Sequence, residues 1–260
     1  MIVSGHPQFD TQDDDGNGNG IPPIPEWHLH PTTFNDKILG LYDPELDLPV
    51  RNVFARLQYV FRRAQRIPLS TTMLHDLACF VIHRLLLLAP DSADSPSSSP
   101  MTECVRHGII LYMFLIQGTT YFSHAVILNR LVARFMEQVR LLESTRHLCG
   151  SFDIWYLTVG MAASAGTEHY LFFLERSQAL TTSLGLENWG DILSYIRSVI
   201  WLETPRSEHL FRAHWEALLG MTNTSTPTDI ALSLSPNILD TMLLSSPYVD
   251  HSISGVPGNS

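Results

Sequence analysis

The sequence predicts an all-α protein, an antiparallel array of about eight helices flanked by disordered tails. Three observations carry that prediction. Apolar residues recur at steps of three and four along most of the chain between residues 48 and 220. No stretch shows the alternation of apolar and polar residues that a half-buried strand requires. Four of the five tryptophans, Trp155, Trp189, Trp201 and Trp215, stand at the anchoring points of consecutive helix-period segments. A tryptophan buries its large ring only where several elements converge, so this spacing predicts one tightly packed helical layer.

The elements follow in order. Residues 1–47 combine Asp13, Asp14 and Asp15 with GNGNG and IPPIP, a glycine and proline density that disfavours helix and offers little apolar surface. They are expected to form a disordered leader with one docking segment around Trp27 and Phe34. A helix is expected to begin near Pro49, capped by Asp47, with Val50, Val53, Phe54, Leu57, Val60, Phe61 and Ala64 inward and Pro68 beyond its end. The next starts after Ser70 and runs to Pro90, where PDSADSPSSSP reads as a surface loop.

Residues 101–118 are apolar nearly all round and predict a central buried helix. A long amphipathic helix is expected over 121–144. Cys149-Gly150-Ser151 should break into the Trp155 helix, and Gly166-Thr167 into a helix ending at Leu184-Gly185. Asn188 is placed to cap a Trp189–Trp201 helix, and Pro205 to open the last one, to about Leu219. Residues 221–260 are rich in Ser and Thr and are expected to be a disordered tail. Within it Leu239, Leu243 and Leu244 form an apolar cluster beside Asp240, read either as an interaction segment for a coactivator groove or as a stretch that docks on its own domain.

Charge narrows the class. With 26 acidic against 16 basic residues the net charge is −10, which argues against autonomous binding to nucleic acid. Arg51, Arg56, Arg62, Arg63 and Arg66, interleaved with Asn52 and Gln58, give the first long helix a basic outer face, read as a solvated side. The neighbouring IHRLLLL, 82–88, is read as core. Cys79, Cys104 and Cys149 are too far apart for a metal motif and read as small buried hydrophobes. No apolar run approaches the ~20 residues that span a bilayer, and no membrane association is expected.

Catalytic signals are weak. Glu103 and His107 lie four apart on one helix, but two ligands do not make a metal centre, and an ion-paired surface couple is expected. His28 and His30 have no acidic or cysteine companion. Glu168-His169, Glu208-His209, His214 and Glu216 are read as solvated polar positions, because adjacent helical residues point about 100° apart. The residues therefore assign no catalytic group, cofactor or metal, and the chain is expected not to be an enzyme.

Three segments carry a family resemblance: TECVRHGIILYMFL at 102–115, WYLTVGMAASAG at 155–166 and LGLENWGDILSYIRSVIWLE at 184–203. They resemble, in order, the "CR…aliY", "W…G…AA" and "LGL.sWe.v…l…lW" helices of the regulatory domain of fungal-specific transcription factors. A last helix with a Trp near its acidic end, here Trp215-Glu216, completes the pattern. The resemblance extends from about residue 50 to residue 219. It implies a nuclear protein that regulates RNA polymerase II transcription through protein partners or a small effector. That family's binuclear zinc cluster needs six closely spaced cysteines among basic residues. Residues 1–47 hold no cysteine and one basic residue, Lys37, so this chain is expected to be the regulatory domain without its DNA reader, and neither zinc nor sequence-specific DNA contact is expected. The alternatives that the residues leave open are a helical scaffold unrelated to transcription and an enzyme with a concealed site.

Overall fold

A computed structural model describes residues 21–28, 46–88, 99–118, 125–145 and 150–221, and among them every regular element is a helix. They are α1 (Pro25–His28), α2 (Leu48–Ala64), α3 (Thr71–Leu87), α4 (Pro100–Gln117), α5 (Ala125–Thr145), α6 (Ser151–Ser164), α7 (Tyr170–Leu184), α8 (Trp189–Val199) and α9 (Pro205–Met221). The all-α class and the eight long helices agree with the sequence prediction.

Local chemistry sets most of the boundaries. The side chains of Ser70, Ser99 and Asn188 each accept a hydrogen bond at 3.1 Å from a backbone N–H three residues on, which satisfies a donor the helix leaves unpaired. Asp153 does the reverse for α6, reaching back to the Gly150 N–H at 2.8 Å. Pro100 and Pro205 occupy first turns, where a missing N–H is no loss. Gly185 ends α7 in the left-handed region with φ +62°. Asp47 holds the N-cap position of α2, but its carboxylate does not bond the first turn; its backbone N–H instead donates to Thr102 Oγ1 at 3.0 Å and ties α2 to α4.

Two helices form the hub. α4 packs against α2, α3, α5 and α6, while α6 packs against α4, α5, α7, α8 and α9. Both must therefore be apolar nearly all round, and in α6 only Ser151 and Ala163 escape full burial. Glycines allow the closest approaches. A Cβ on Gly108 of α4 would sit 2.9 Å from the Trp155 ring, and one on Gly160 of α6 would fall within the ring of Phe173 on α7. Gly160 thus lets α6 and α7 meet with an aromatic face laid directly on backbone.

One boundary differs from the sequence reading. α8 ends at Val199, and Ile200 is extended at φ −138°, ψ 123°, so Trp201 lies beyond the helix on a short strap, 200–204, leading to α9. The leader is also not wholly apart from the core. Ile24 and Trp27 are buried, with the Trp27 ring edge-on to Phe80 at 4.9 Å. Prolines at 22, 23 and 25 account for both observations: they prevent a long helix, yet they reduce the entropy lost when the segment docks. Phe34 and residues 222–260, including Leu239, Leu243 and Leu244, lie outside the described residues.

Candidate functional site

Three of the four tryptophans predicted as anchors, Trp155, Trp189 and Trp201, meet at the strap 200–204, and Trp215 packs against α6. Trp155 on α6 donates its indole N–H to the Ile200 carbonyl at 3.0 Å. Tyr112 on α4 accepts the Leu202 N–H at 2.9 Å through its phenol oxygen. These two bonds hold an extended segment, whose backbone groups have no ladder partner, inside a helical core. Tyr112 stacks on Phe211 of α9 at 5.6 Å and 11°, and Phe211 in turn meets Trp201 at 5.7 Å. Trp201 lies edge-on to Trp189 at 6.3 Å. Trp215, fully buried on α9, donates to Thr158 Oγ1 on α6 at 2.9 Å.

All four indoles are buried, but they are not equivalent. Trp155 and Trp215 have hydrogen-bonded N–H groups, whereas the buried N–H groups of Trp189 and Trp201 have no partner among the described residues. Burial pushes the Tyr112 phenol well above its ordinary range, against a smaller opposing effect of the Leu202 N–H, so the ring stays neutral and serves as an acceptor.

Polar groups that the sequence assigned to the surface lie inside. Glu103 is not an exposed partner of His107: Arg106, 5% exposed, bonds both Glu103 carboxylate oxygens and donates to the Leu85 carbonyl at 3.2 Å. His107 donates Nδ1–H to the Glu103 carbonyl at 2.8 Å. Burial, reinforced by the Arg106 charge, lowers its pKa to about 4, so it is a neutral donor at physiological pH. His214, expected in solvent, is buried against Tyr170, with ring nitrogen and hydroxyl 3.2 Å apart. Burial alone lowers His214 to about 4 and pushes Tyr170 up to about 12, so both are neutral. Gln58, read as outer-face, is buried and donates to the Val199 carbonyl. The signal for Arg106 was present in the sequence as a charged residue on an otherwise apolar helix; for Gln58 and His214 none is local, because their partners are 141 and 44 residues away.

The other predicted positions separate clearly. His28, Glu168, His209 and Glu216 are exposed, and the last pairs with Arg212 at 2.6 Å. Residues 82–88 pack largely in the core. Cys79 and Cys104 are buried; Cys149 and His30 lie outside the described residues. Cys79 Sγ is 3.6 Å from His75 Nε2, and His75 Nδ1 is 2.6 Å from the Gln117 amide, the order of nucleophile, base and orienting group. Burial and the nearby Asp76 nevertheless raise the Cys79 thiol, the opposite of what a nucleophile needs. Among the described residues no three His, Cys, Asp or Glu side chains gather where they could hold a metal ion, and no helix is long and apolar enough to cross a membrane.

Comparison of the chain with protein-family models, curated proteins and solved structures found no match. The site must be read from its own geometry, which is that of a core built around one pinned strap.

Proposed function

We propose that residues 48–220 are the regulatory domain of a fungal RNA polymerase II transcription factor, acting in the nucleus through protein partners or a small effector held between its helices. One observation supports this reading above others. The three segments that resemble the family meet at the strap: Tyr112 from 102–115 and Trp155 from 155–166 each bond the end of 184–203, at Leu202 and Ile200. The acidic balance fits a region that acts through partners rather than through direct readout.

Fusion of the whole chain to a heterologous DNA-binding domain tests the proposal. Reporter output in yeast should change several-fold, up or down, relative to the DNA-binding domain alone. A stably accumulated fusion that leaves the reporter unchanged would reject the regulatory reading and leave a helical scaffold.

A further inference from the structure

Arginines of this chain differ in how they are paired. Arg106, Arg140, Arg176, Arg197 and Arg212 each pair with a glutamate. Arg62, Arg63 and Arg66, at the end of α2, take part in no salt bridge among the described residues, although the chain carries acid in excess. Arg62 and Arg66 are exposed and Arg63 is half-buried. No acidic residue occurs between Asp47 and Asp76, so nothing on α2 or its flanks can neutralise them. Beside Arg66, Ile67 is 57% exposed and adds an apolar contact to the same end of the helix.

The leader has the complementary composition. Residues 1–20 contain Asp10, Asp13, Asp14 and Asp15, no lysine or arginine, and Phe9 next to the first aspartate. Its exit point is already on α2: α1 packs there, the Trp27 carbonyl accepts from Arg56 Nη1 at 3.4 Å, and the Arg56 guanidinium lies over the Trp27 ring at 5.6 Å. Arg63 is seven residues on from Arg56, two turns or about 10 Å along the same side of the helix. The six residues from Asp15 to Ile21 span up to about 20 Å when extended, enough to reach it. Tethering makes the encounter intramolecular, so individually weak exposed ion pairs can hold together.

We propose that this chain's own acidic leader, Phe9 to Asp15, docks on the arginine face formed by Arg62, Arg63 and Arg66. The face is thereby a docking surface for acidic peptide, occupied in the free protein by the leader.

Photo-crosslinking of the full chain, with p-benzoylphenylalanine in place of Gln12, tests this. Crosslinks should map to residues 59–67, and the yield should fall at least about fivefold as salt rises from 50 to 500 mM, where screening shortens to a few ångströms. The same loss is expected separately in Arg62→Gln/Arg63→Gln/Arg66→Gln and in Asp10→Asn/Asp13→Asn/Asp14→Asn/Asp15→Asn. The second variant leaves the helical core untouched, so a folding defect in the first cannot mimic the result. Crosslinks elsewhere on the chain, none at all, or a yield indifferent to both variants would overturn the proposal. So would crosslinks only between two chains, which would make the surface one for acidic segments in trans.

Discussion

The indole N–H of Trp155 reaches the carbonyl of Ile200 across 45 residues of sequence, at 3.0 Å, from a ring that has no exposed surface. The bond joins the almost wholly buried helix α6 to an extended segment inside the core. Trp201, next in the chain, is almost as buried but makes no such bond.

That difference predicts unequal costs for the same substitution. Trp155→Phe strips the Ile200 carbonyl of its donor and opens space beside Gly108; an unsatisfied buried group costs about 1–3 kcal/mol in addition to lost packing. Trp201→Phe removes an N–H that has no partner among the described residues. Urea titration should therefore find Trp155→Phe less stable than Trp201→Phe by at least about 1 kcal/mol. Equal midpoints would show that the Trp155 bond contributes nothing to stability.

Gly160 and Phe173 make a second prediction. Gly160→Ala puts a methyl group where the Phe173 ring lies, and overpacking of this kind costs about 1–3 kcal/mol or more. Phe173→Leu in the same chain should recover part of the loss, because a smaller side chain vacates the contact. Thermal melts of the two single variants and the double variant give the coupling between them; strict additivity would mean that α6 and α7 separate without strain.

What the sequence revealed and what it hid follow one physical line. Ser70, Asn188 and Pro205 were legible as helix starts because capping acts within three residues of its cause. The four tryptophans were legible as anchors because ring size alone demands burial. Trp201 reads as part of α8 because apolar spacing continues through Ile200 and Leu202 after the backbone has become extended, and the distant donor Trp155 and the distant acceptor Tyr112 stabilise that extension. Gln58 and His214 look like surface for the same reason: a polar side chain can be buried only if partners wait inside, and here those partners are Val199 and Tyr170. Trp27 is recognisable as a docking residue, since an indole is costly to leave in water and no other tryptophan stands in the leader.

The buried pair on α4 predicts a non-additive result. Glu103→Leu would leave the Arg106 guanidinium, 5% exposed, with only the Leu85 carbonyl, and breaking a buried pair from one side costs about 3–5 kcal/mol. Replacing both, as Glu103→Leu/Arg106→Met, removes the uncompensated charge and should be more stable than Glu103→Leu alone. A double variant no better than the single one would mean that Arg106 reaches water when its partner is lost.

Acid sensitivity follows from two histidines. His107 and His214 are both held near 4 by burial, whereas an unfolded histidine titrates near about 6.5. Between those values the unfolded chain binds protons that the folded chain refuses, so stability must fall as pH drops through that window and is unaffected by these groups above it. From pH 7.5 to pH 5 the linkage amounts to about 2 kcal/mol for each histidine. His214→Phe, which keeps an aromatic ring against Tyr170 at the cost of its hydrogen bond, should lose stability at neutral pH yet show about half the wild-type decline between pH 7.5 and pH 5. Urea midpoints at a series of pH values measure both effects. A His214→Phe profile as steep as that of wild type would show that His214 is not held neutral in the fold, and that the decline comes from His107 or from the carboxylates.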